Sequence, residues 1–155
     1  MARPLSEYFA SVLASDVHDY GVGYWVEDYL FGLASDVALT EWTITNPPFR
    51  LAEQFIERAL ERSEIGVAVI LRSAFLESVG RYERLFGQRP PSDVLQFVER
   101  VPMVKGRVDP EAASATAYAW LVWRKGVAGS ALHWIPPCRK QLERPGDYGT
   151  LSEAA

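Results

Sequence analysis

The sequence predicts an α/β domain built on a mainly parallel sheet that ends in an antiparallel hairpin. Three observations predict it. Two apolar runs, "WTIT" (42–45) and "IGVAVILRSAF" (65–75), flank an amphipathic helical pattern at 48–63. A second helical pattern, "LESVGRYERLFG", follows the longer run and stops at Gly87. Beyond it, "VLQFVERVP" and "ATAYAWLVWRK" are consecutive strand patterns with no helix between them.

Taken in order, "PLSEYFASVL" places Leu5, Tyr8, Phe9, Val12 and Leu13 on one helical face, with Pro4 acceptable in a first turn. "SVLASDV" opens a candidate strand near Val12, and "WVEDYLFG" is a second short strand or turn. "WTIT" is β-branched and stops abruptly at Pro47 and Pro48. "PFRLAEQFIERALERS" spaces Phe49, Ala52, Phe55, Ile56 and Ala59 as one apolar face with charges opposite. The run behind Gly66 is continuous enough for a strand buried on both faces. The end, "HWIPPCRKQLERPGDYGTLSEAA", is rich in proline and charge, so the expected layout is one domain over residues 1–135 and a tail over 136–155.

With 155 residues, 48% of them hydrophobic, the chain supports one core. No apolar run is long enough for a transmembrane helix, and "MARPLSEYFASVLASD" lacks a signal-peptide pattern. One cysteine, Cys138, forms no internal disulfide, which suits a reducing cytoplasm. No metal site is expected. The net charge of −4 argues against generic coating of duplex DNA, but its distribution is uneven. Residues 1–64 carry a net of −7, residues 65–107 a net of +3, and the rest balance. That asymmetry fits a cationic ligand at one end and a polyanion at the other, or simply solvated helix faces.

Asn46-Pro47-Pro48-Phe49 stands where ligands bind open α/β sheets, just past the carboxyl end of a strand. Two prolines hold the backbone still, so the Asn46 amide oxygen and a neighbouring carbonyl can form a fixed pair of acceptors. Such a pair suits a planar –NH₂ group and stabilises the positive charge that develops on it during methyl transfer. Phe49 offers a stacking face. The competing reading is a strand-ending turn in which Asn46 caps the next helix.

"WTITNPPF" resembles the catalytic motif of class I S-adenosylmethionine-dependent amino-methyltransferases, especially the DNA adenine-N6 group. Further segments, among them "VLASDVHDYG", "FLESVGRYERLF" and "WIPPCRKQLERPGDY", resemble small phage- or prophage-type enzymes of this kind. The resemblance implies a Rossmann-like three-layer sandwich and S-adenosylmethionine as cofactor. It implies that Asn46 and the Pro47 carbonyl accept the target amine and Phe49 stacks on the base, with Pro48 part of the same catalytic motif. Asp16 matches the acid that binds the donor's ribose and Asp28 the one that accepts from its adenine amine, with His18 and Asp19 near the same pocket. Either aspartate could equally be a turn residue. Arg72, Arg81, Arg84, Arg89, Lys105 and Arg107 are candidates for holding phosphates of DNA, or of RNA; Arg72, Lys105 and Arg107 lead.

The family's first strand and glycine-rich loop have no counterpart here, since the chain opens in what looks like the helix after them. The expectation is an N-terminally shortened methyltransferase, with "SVLASD" pairing directly with "WTIT" or a second chain filling the sheet gap. RNA adenine, protein glutamine and a non-catalytic remnant that binds a partner are the alternatives.

Overall fold

The computed structural model describes residues 1–32, 39–103, 111–144 and 147. Seven strands occur among them: β1 (Ser15–Asp16), β2 (Trp25–Val26), β3 (Thr40–Thr45), β4 (Ser63–Arg72), β5 (Asp93–Phe97), β6 (Tyr118–Arg124) and β7 (Ala131–Ile135). The helices are α1 (Ala2–Leu5), α2 (Ala52–Arg62), α3 (Val79–Arg81), which runs on into a π-turn over Tyr82–Phe86, and α4 (Arg139–Leu142). Strands β3 to β7 form a five-stranded mixed sheet of order β3-β4-β6-β5-β7, so the fold is α/β. β3 pairs parallel with β4 and β5 parallel with β7, while β6 runs against both of its neighbours.

The register explains the core. Val67, Val69 and Leu71 of β4 lie opposite Trp123, Leu121 and Ala119 of β6, and Leu121 lies opposite Val94 of β5. These side chains share one face, and α2 lays Ala52, Ile56 and Ala59 onto it, each fully buried. Phe75 and Leu85 join the same cluster, so α2 and the 79–86 run cover one face together. Trp42, Ile44, Ala68, Trp120, Val122 and Leu95 point to the opposite face and are only half-buried. The helical residues of the core cluster all lie against the first face, while Ile70, on the second, is 5% exposed. Gly66 lies opposite Trp42, and a Cβ there would come within 2.6 Å of both the Trp42 ring and the Trp123 carbonyl oxygen. That close approach is why this position carries no side chain.

Three expectations are corrected. "SVLASD" does not enter the sheet: β1 pairs only with β2, and the outer edge of β3 has no strand beside it among the described residues. The first helix stops at Leu5, because Tyr8 and Leu13, 79% and 61% exposed, find no surface to cover. The sheet is mixed rather than mainly parallel: the expected antiparallel hairpin of β5 and β6 is present, but β6 lies between β4 and β5 and runs against both. β7 was not foreseen. Its connection turns under the start of β5 through Gly126 and Gly129, both in the left-handed region (φ 80° and 86°).

Polar groups fasten that underpass. The buried Asp93 carboxylate accepts from Arg124 Nε (2.9 Å) and Nη2 (3.1 Å), from Ser92 Oγ (2.8 Å), and pairs with His133 Nε2 (3.0 Å). Ser130 Oγ donates to the Pro91 carbonyl at 2.6 Å. Burial works against the Asp93 charge, but the Ser92, His133 and Arg124 hydrogen bonds prevail and hold its pKa below the usual carboxylate range.

Candidate functional site at the end of strand β3

β3 leaves the sheet at Thr45, and Pro47 is buried behind it while Asn46, Pro48 and Phe49 face solvent. The Pro48 carbonyl accepts from Leu51 N at 2.9 Å and starts a 3₁₀ turn, Phe49–Leu51, that feeds α2. Neither that turn nor α2 has a side-chain cap, so Asn46 does not serve as a helix cap. Its amide nitrogen lies 3.7 Å from the sulfur of Met103, a residue of the β5–β6 connection. Spacing in the sequence carried no signal for Met103, because the contact spans 57 positions.

Phe49 is 43% exposed and stands edge-to-face on buried Phe75, with centroids 5.9 Å apart and planes at 81°. Phe75 in turn meets Phe86 edge-to-face at 6.0 Å. Two guanidinium groups flank the outer ring, with Arg72 Cζ and Arg81 Cζ each 5.8 Å from the Phe49 centroid. Arg72 ends β4, so the parallel β3–β4 pair brings Asn46, Phe49 and Arg72 to one sheet end.

The other arginines are differently occupied. Arg84 makes a two-pronged contact with Glu53 of α2 (3.0 and 3.1 Å), and Arg89 lies 3.8 Å from Glu57. Arg81 pairs with Glu53 at 3.5 Å and donates to the Phe75 and Glu77 carbonyls. All three pair with carboxylates of α2. Lys105 and Arg107 lie outside the described residues.

Asp16 and Asp28 stand at the same, carboxyl end of the β1–β2 pair. Each commits an oxygen to a local turn: Asp16 Oδ1 accepts from His18 N (2.9 Å), and Asp28 Oδ1 from Leu30 N (2.8 Å) and Phe31 N (3.2 Å). Asp19 does the same for Gly21 N at 2.7 Å. His18 stands edge-on to Tyr20. Tyr29 ties this segment to the main body, stacked on Phe55 of α2 at 5.1 Å under the Arg58 guanidinium, and burial pushes its phenol pKa up. No described contact joins Asp16 or Asp28 to Asn46.

A cavity of about 260 Å³ lies between α1 and the amino ends of β1 and β2, bounded by Val12, Tyr24 and Trp25, away from Asn46 and from the Asp16 end of the pair. A second, of about 270 Å³, lies beside α4, where Glu99 Oε1 accepts from Cys138 N (2.7 Å) and Arg139 N (2.8 Å). Those two N–H groups hold the Glu99 carboxyl below its ordinary pKa. Among the described residues no cluster of three or more His, Cys, Asp or Glu could hold a metal ion, and no helix is long and apolar enough to cross a membrane. No protein-family model, curated protein or solved structure matches the chain.

Proposed function

We propose that this chain is an S-adenosylmethionine-dependent methyltransferase of the Rossmann-like class I kind, directed at the N6 amine of adenine in DNA. One observation carries the reading: a Pro-Pro-stiffened Asn46 and an exposed Phe49 leave the carboxyl end of a parallel strand beside an exposed Arg72. A flipped adenine laid on Phe49 would present its amine toward the Asn46 amide oxygen, with Arg72 placed for an adjacent phosphate. Lys105 and Arg107 remain part of the proposal as further phosphate contacts.

Asp16 and Asp28 fit the donor in part. Two carboxylates at one end of a parallel pair suit a ribose diol and an adenine amine, although each has one oxygen spent on a turn. Bound S-adenosylmethionine would supply a methyl group on a positively charged sulfur. The chain's own task is then to hold the amine in line and to stabilise the charge on its nitrogen, whose surplus proton passes to water. Among the described residues no strand lies beside the outer edge of β3, which would leave room for a strand from a second copy, in keeping with a homo-oligomer.

Incubation with donor carrying a labelled methyl group and adenine-containing DNA tests the proposal. Label should enter N6 with the wild type and fall by about 10²–10³-fold with Asn46→Ala, the loss typical of removing one aimed polar group. Equal labelling by the two proteins would remove Asn46 from the reaction. A non-catalytic binding module is the second reading, favoured by the turn-capping roles of Asp16 and Asp28. Calorimetry with S-adenosylhomocysteine separates the two, because a remnant should give no heat of binding.

A further inference from the structure

Arg81 occupies the corner between two rings. Its Cζ lies 4.4 Å from the Phe75 centroid and 5.8 Å from that of Phe49, and the two rings meet at 81°. Three acceptors hold the guanidinium there: the Phe75 carbonyl, the Glu77 carbonyl at 3.4 Å and the Glu53 carboxylate at 3.5 Å. Its side chain is 17% exposed, against 63% for Arg84 and 47% for Arg89, so Arg81 alone of the three is drawn inward. Phe49 has the opposite problem. It opens a 3₁₀ turn with much of its ring in water, and its inner contacts are Phe75 on one side and the Arg81 guanidinium on another. A side chain that exposed would otherwise distribute over several rotamers.

We infer that Arg81 is a positioning residue, a half-buried cation that holds the Phe49 ring in one pose, ready to receive a planar acceptor. The role rests on the function proposed above. A flat guanidinium can lie against one ring and toward the other while its edge donates to carbonyls and a carboxylate; an ammonium cannot. Arg72, exposed and likewise 5.8 Å from the Phe49 centroid, is left to meet the ligand. Arg81 thus acts through Phe49 and touches no substrate.

The test compares wild type, Arg81→Lys and Arg81→Met by aromatic ¹H–¹³C NMR, with the Phe49 signals assigned through Phe49→Leu, and by steady-state methylation of an adenine-containing oligodeoxynucleotide. Arg81→Lys retains a cation for Glu53 and should keep the fold. In both variants the Phe49 ring signals should shift and broaden while the amide signals of β4 and β6 stay in place. KM for the oligonucleotide should rise about fivefold with a smaller change in kcat. Unchanged Phe49 signals in Arg81→Lys would overturn the inference, as would unfolding of both variants, which would make Arg81 a staple of the fold. A wild type that transfers no methyl group sinks the proposed reaction instead, and the ring measurement still decides the role of Arg81.

Discussion

Asp16 shows how one carboxylate can satisfy two descriptions. Its Oδ1 closes a turn with His18 N at 2.9 Å, a job for any oxygen acceptor, while binding a ribose diol needs the negative charge as well. Asp16→Asn separates these roles better than alanine, because the amide oxygen can still close the turn. The melting temperature should stay within about 1–2 °C of wild type, as for a surface change that keeps its local bond. Affinity for S-adenosylhomocysteine should fall about tenfold, the scale of losing one charge-assisted hydrogen bond. Equal affinity in a calorimetric titration would leave Asp16 as a turn residue only.

At the scale of elements, α2 and β4 carry the fold and allow sharp tests. Ile56 is fully buried between α2 and the sheet, and Ile56→Ala should cost about 2–5 kcal/mol through lost transfer energy and the cavity left behind. Gly66→Ala should also destabilise, by about 1–3 kcal/mol, although alanine favours most folded positions over glycine. The added methyl would meet the Trp123 carbonyl oxygen, which belongs to the β6 backbone and cannot move without breaking the ladder. Urea unfolding at constant m measures both. A neutral or stabilising Gly66→Ala would show that the β4–β6 pairing yields more readily than its register implies.

For the whole molecule, the β5–β6–β7 end is held by one buried carboxylate, and that makes stability depend on pH. Asp93 is depressed in the folded state, so its contribution is fully present above the unfolded carboxylate pKa of about 3.9 and is lost as pH falls through the lower folded value. Asp93→Asn should lose about 2 kcal/mol near neutral pH, the cost of leaving buried donors with a weaker acceptor. Wild type and variant should converge in acid. Chemical denaturation at pH 7 and at about pH 2.5 checks both halves. A constant gap between the two proteins across that range would mean the carboxylate's charge does not hold this end together.

The sequence alone determined the order and type of the central elements. "WTIT", the helical spacing from Ala52 to Ala59 and the apolar run behind Gly66 each bury a continuous local face, so their periodicity carries the information. It also located the Asn46–Phe49 loop at a strand's carboxyl end, because proline acts on its own backbone and that of its neighbour. Only the tertiary structure decided that β6 inserts between β4 and β5, that "ALHWI" forms a fifth strand, and that β1 and β2 stay outside the sheet. Strand pairing is a choice among edges far apart in sequence, which local pattern does not encode. The same holds for the arginines. Arg72 and Arg81 are both phosphate candidates in the sequence, yet one ends exposed over Phe49 and the other is drawn in against Phe75 by Glu53 and two carbonyls. The physical reason is that a long cationic side chain is placed by the acceptors that the completed fold presents to it.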